Sequence, residues 1–220
     1  MNNKIKLLSV SVGSLLVTSA MADYTGLSYD GIDNGNGTWT AHIYVDFTDE
    51  TDELNWVGGN AQNNLFITST DGFYQHGFGG PTSTYINPAF YDMFPSLAYD
   101  SWVTIQGGDD INNYVSYINV DWTDFESGGD IMIDTPGVWY NTCPNDEYIL
   151  AGDDLRVMIG QFTMYNLDSS ISGVLNFGST MPSGGTPYQI TGQAFNYSLP
   201  SPSAIALLGV AGISATRRRR

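Results

Sequence analysis

The sequence predicts an all-β protein, an antiparallel β-sandwich of jelly-roll or immunoglobulin-like type, and three observations carry that expectation. Residues 38–47, TWTAHIYVDF, place Trp39, Ala41, Ile43, Val45 and Phe47 on one side and Thr40, His42, Tyr44 and Asp46 on the other. A side-chain period of two marks a strand with one buried face and one wetter face. Short segments rich in Tyr, Thr, Ile and Val recur along the chain, with Gly, Asp, Asn and Pro between them and no capped amphipathic helix.

The elements follow in chain order. The NGNG stretch at 34–37 tolerates positive φ, so residues 26–32 and 38–47 should form a hairpin. Further strands are expected at 64–70, 102–106, 114–122, 130–134, 155–165, 172–177 and 188–197. The longest irregular connection, NPAFYDMFPSLAYDS at 87–101, has room for a helical turn. On the strand at 38–47 the alternation predicts that an acidic residue at Ile43 would be ruinous and one at Thr40 mild.

Both ends read as addresses. Residues 1–22 hold Lys4 and Lys6, an apolar run at 7–17, and a small-residue site in which Ala20 and Ala22 fit a secretory cleavage pattern. At the other end, residues 199–216 carry no charge and are followed by Arg217, Arg218, Arg219 and Arg220. Eighteen helical residues would span roughly 27 Å, close to the bilayer's hydrocarbon thickness. A cluster of arginines beside a span resists translocation, so the basic end is expected inside and everything before it outside.

Pro200, Ser201 and Pro202, the apolar stretch at 203–216 and the arginine run at 217–220 together resemble the PEP-CTERM sorting signal of exosortase substrates in Gram-negative bacteria. Ser201 stands where that family usually has Glu. The resemblance covers only the tail, 199–220. It implies export, transient anchoring in the inner membrane through the C-terminal helix, processing by an exosortase-like enzyme, and delivery to the cell surface or extracellular matrix.

Between the two addresses, residues 23–198 form one domain of ordinary size. It holds all 23 acidic residues against a single cation, Arg156, a formal balance of −22. Such a surface repels nucleic acid and anionic lipid. Cys143 is the only cysteine, so no internal disulfide can form.

No catalytic motif is present, and the expectation is a protein that is not an enzyme. His42 and His76 are too few and too far apart for a metal or triad signature. Asp121, Asp124, Glu126 and Asp130 could supply a glycosidase pair, though clustering is ordinary in so acidic a chain. Calcium is the more natural partner of acidic loops, and Asp49, Glu50, Asp52 and Glu53 form the densest such loop, ahead of Asp109–Asp110 and Asp153–Asp154. Trp56, Trp139 and Tyr140 lie near turn sequences and are the candidates for a sugar-stacking surface. The leading expectation is an exported structural or adhesive protein. A carbohydrate-binding module for extracellular polysaccharide comes next, and a polysaccharide-active enzyme third.

Overall fold

The computed structural model describes residues 24–107, 114–141, 149–180 and 186–199. The expected signal peptide at 1–22, the expected sorting tail from Pro200 onward, Asp109–Asp110 and Cys143 lie outside these residues. The strands are β1 Gly26–Asp33, β2 Trp39–Asp46, β3 Trp56–Gly59, β4 Leu65–Ser69, β5 Trp102–Gln106, β6 Ser116–Ile118, β7 Ile131–Ile133, β8 Gly137–Tyr140, β9 Arg156–Met164, β10 Ser170–Ser179 and β11 Tyr188–Ser198. One four-residue helix, α1 Thr123–Glu126, and three 3₁₀ turns within 83–99 complete the order among the described residues.

Every strand pairing is antiparallel. One sheet runs β1-β2-β9-β5. In the other, β10 has β11 on one edge and both β3 and β4 on the opposite edge, with β8 and β7 outside those and β6 outermost. β3 and β4 are two halves of one broken strand, separated by an excursion at residues 60–64. Asn176 of β10 sits at the break and is 2% exposed. Its amide donates to the carbonyls of Gly58 at 3.1 Å and Asn63 at 3.0 Å, and its Oδ1 accepts from Gly192 N–H at 2.9 Å. One buried side chain thereby satisfies the backbone groups that the interrupted ladder leaves open.

The hairpin read from NGNG is present, with β1 and β2 in register from Gly26↔Asp46 to Asp33↔Trp39. Trp39, Ala41, Ile43 and Val45 are fully buried and meet Val57, Leu65, Ile67, Trp139, Leu175 and Phe177 of the other sheet in one core. The opposite face is drier than the alternation suggests. Thr40 is buried, its hydroxyl 2.7 Å from that of Thr163 and within reach of Asn34, so a charge at Thr40 would be costly too. The expected strand at 114–122 shrinks to three residues. Asn119 takes a positive φ, and Asp121 then caps the turn into α1 by accepting from Thr123 N–H. Two strands were not foreseen, β3 and β8, because each is four residues long and contains glycine.

The irregular segment 73–101 folds back over the outer face of the four-stranded sheet, where Ile86 and Leu97 pack with Trp102 and Met158. Asp100 anchors it. This carboxylate is fully buried and accepts from the backbone N–H groups of His76 at 2.6 Å and Gly80 at 3.2 Å. A β-carbon at residue 79 would collide with Asp100 Oδ2, which is why glycine stands there. Burial outweighs the backbone donors of His76, Gly80 and Ser101 and pushes the Asp100 carboxyl up to about 7.

A stability consequence follows with a definite sign. In the unfolded chain this carboxyl titrates near 3.8, so between about pH 4 and 7 the folded state holds a proton that the unfolded state has lost. The contribution is complete below pH about 4 and gone above about 7, and its ceiling is on the order of 4 kcal/mol. Urea midpoints should therefore fall from about pH 5 to about pH 8, and Asp100→Asn should flatten that fall. Equal slopes for the two proteins would show that Asp100 does not titrate in this range.

Candidate functional site

Strand register decides which aromatic residues reach the surface of the larger sheet. Trp56 of β3 lies directly opposite Tyr140 of β8, and their neighbours Val57 and Trp139 are paired in the same way. Alternation sends one pair out and the other in. Trp139 is fully buried and its indole donates to Thr104 O at 3.1 Å, so it is removed from the sugar-stacking candidates: it is a core residue. Trp56 and Tyr140 are half-exposed on the outer face. As direct cross-strand partners their β-carbons stand about 5 Å apart, close enough to form one surface.

Around them lies a concavity of about 400 Å³ lined by Asn55, Trp56, Ile118, Val138, Tyr140, Asn141 and Thr180. Its walls are mostly apolar. Ile118 of β6 is 51% exposed beside it and adds apolar surface to the rim. The polar rim is held by Asn55, which accepts from Thr180 N–H at 3.2 Å and receives Asn141 N–H on its backbone carbonyl at 2.9 Å. Gly178 of β10, paired with Trp56, gives the indole its place: a β-carbon there would lie 2.9 Å from the Trp56 Cζ2 and would also strike the carbonyl of Tyr188. The tryptophan ring thus lies over a glycine of the next strand.

An apolar, aromatic-floored concavity with amides at one edge suits a ligand that alternates C–H faces with hydroxyl groups. The sequence singled out Trp56 and Tyr140. It gave no sign of Ile118 on β6, Val138 on β8 or Thr180 just past β10, which meet them only through the sheet.

In the acidic loops, several carboxylates accept hydrogen bonds from the backbone of their own turns. Asp49 Oδ1 accepts from the backbone N–H of Thr51 at 2.9 Å and from its hydroxyl, and these bonds hold its carboxyl below the usual range. Asp52 accepts from Asp49 N–H, Glu50 is exposed, and Glu53 is 1% exposed with its backbone bridged to Leu150. Asp49 and Asp52 thus close a turn, and among the described residues no group of three or more His, Cys, Asp or Glu is placed to hold a metal ion. Asp121, Asp124 and Asp130 border a shallow depression, but Asp121 and Asp124 act as turn caps, Asp124 accepting from Asp130 N–H at 3.2 Å. Burial raises the Glu126 carboxyl. His42 and His76 stand on different elements, His42 bonded to Gln161 and His76 receiving Phe78 N–H at its Nδ1.

No family model matches the chain, and no curated protein or solved structure is similar to it. The fold is that of an antiparallel two-sheet β protein, and its function has to be argued from its own surfaces.

Proposed function

We propose that this is an exported adhesive protein of a Gram-negative cell surface or matrix, holding extracellular polysaccharide on the Trp56–Tyr140 face. The observation that carries the reading is the outward cross-strand pair over Gly178, set in an otherwise apolar hollow. Delivery rests on the sequence: a cleavable signal at 1–22, and a tail at 199–220 that resembles an exosortase substrate and would anchor the chain in the inner membrane before processing. The acidic surface suits a screened exterior in which the domain remains soluble and does not adhere through charge. Binding would then come from ring stacking and hydrogen bonds, which salt does not weaken.

Affinity electrophoresis in gels containing neutral bacterial polysaccharides tests this directly. The wild-type domain should be retarded, and Trp56→Ala or Tyr140→Ala should weaken the interaction about tenfold or more, the scale on which truncated aromatic anchors lose binding. Both side chains are half-exposed, so both variants should still fold. Unchanged retardation in these variants would sink the proposal.

A further inference from the structure

A second concavity lies on the opposite side of the sandwich, built on the outer face of the four-stranded sheet. Asp30, His42, Gln161 and Trp102 stand in one cross-strand row over β1, β2, β9 and β5. The next rows bring Tyr44 opposite Met158 and Asp46 opposite Arg156. The pairing of β2 with β9 slips between Ile43 and Tyr44, where Ile159 is the extra residue. This bulge keeps both the His42–Gln161 row and the Tyr44–Met158 row facing outward while Val157 and Phe162 face the core. Tyr91 and Ala98 of the overlying segment close one side, enclosing about 300 Å³. That is the volume of about ten waters, at the small end for a small-molecule site.

The chemistry of the lining is specific. Gln161 Nε2 donates to Ala98 O at 3.0 Å and Asp100 O at 2.8 Å, so its Oε1 is what faces His42 Nε2 at 2.9 Å. His42 must therefore donate from Nε2, which leaves Nδ1 as a bare acceptor. Burial lowers the His42 pKa and keeps the ring neutral. Arg156 bonds Asp30 at 2.9 Å and lies 3.9 Å over the Tyr44 ring. Its guanidinium borders the cleft together with Asp154. Trp102 is 2% exposed and contributes ring surface to the cleft, while its indole N–H is buried without a partner among the described residues. The cleft thus offers donors from Arg156, acceptors from His42 and Asp154, and aromatic surface from Tyr44, Tyr91 and the Trp102 ring.

Charge narrows the ligand. Arg156 is the only cation of the domain, and Asp30 and Asp154 beside it leave the cleft net negative. A carboxylate or sulfate would be repelled. A hydroxyl group donates and accepts at once, which is what a mixed lining needs. We propose that this cleft binds one neutral pyranose unit, through His42, Asp154 and Arg156, with its C–H face against Tyr91 and beside the Trp102 ring. It shares no residue with the Trp56–Tyr140 face, and the two proposals stand or fall separately.

The test follows the tryptophan indole N–H resonances of the ¹⁵N-labelled domain, with that of Trp102 assigned through Trp102→Phe. D-glucose, D-galactose, D-mannose and D-glucuronate are titrated in turn. At least one neutral sugar should move the Trp102 resonance saturably, with an affinity in the millimolar range, while glucuronate leaves it in place. Asp154→Asn and Tyr91→Ala, neither a core residue, should each weaken that response about tenfold. Trp56→Ala should leave it unchanged. The proposal is overturned if no neutral sugar moves Trp102, in which case the cleft holds water only, or if glucuronate binds as tightly as the neutral sugars.

Discussion

Ile43→Asp is expected to abolish the folded domain. Ile43 is fully buried at the centre of β2, in the core shared by the two sheets. Removing its branched side chain costs about 2–5 kcal/mol in lost burial and cavity formation. The incoming carboxylate must also lose its hydration or stay protonated, and the lining of apolar side chains offers it no compensating partner. Together these approach the whole stability of a typical domain, about 5–15 kcal/mol. Thr40→Asp, three residues away on the other face, should also be severe, since it severs the buried Thr40–Thr163 hydroxyl pair. Ile32→Asp on β1, where the side chain is 44% exposed, should change stability by under about 1 kcal/mol. Circular dichroism and urea unfolding of the three variants check the order. A cooperative transition for Ile43→Asp close to that of the wild type would contradict the assigned core.

Asn176→Ala is the second large effect. The substitution leaves the carbonyls of Gly58 and Asn63 and the N–H of Gly192 without the partner each has now, in a place that is 2% exposed. Unsatisfied buried groups cost about 1–3 kcal/mol apiece, so a loss of roughly 3–5 kcal/mol is expected if water cannot enter. Asn176→Asp should be worse although it is nearly the same size, because a carboxylate cannot donate to the two carbonyls it would face. That ordering separates hydrogen bonding from packing: Ala and Asp variants of equal stability would show that the side chain fills space and does little else. Because the break between β3 and β4 also positions Trp56, a partly folded Asn176→Ala domain should bind polysaccharide poorly as well.

The fold class and several strand positions were readable because they depend on local pattern. The alternation over 38–47 fixes which side of β2 meets the core, and NGNG fixes the hairpin turn, since both follow from backbone geometry within a few residues. Segments such as Trp102–Gln106 and Tyr188–Ser198 are dense enough in β-forming residues to declare themselves. β3 and β8 were silent. Four residues with glycine among them carry no periodicity, and their pairing is stabilised by β10 and by Asn176, which are far away in the chain.

The same division holds for function. The acidic, cysteine-poor character of the domain and the candidacy of Trp56 and Tyr140 were legible in the sequence alone, as was the expectation of export drawn from the two ends. Tertiary structure decided that Trp56 and Tyr140 face outward together while Trp139 is core, because a period of two sends neighbours to opposite faces once the register is set. It also drew His42, Arg156 and Trp102 from three strands into one cleft, with Asp30 of a fourth strand paired to Arg156. Proximity along a chain says little about convergence in a sheet. Residues become neighbours there through cross-strand register, a long-range property that no short stretch of sequence contains.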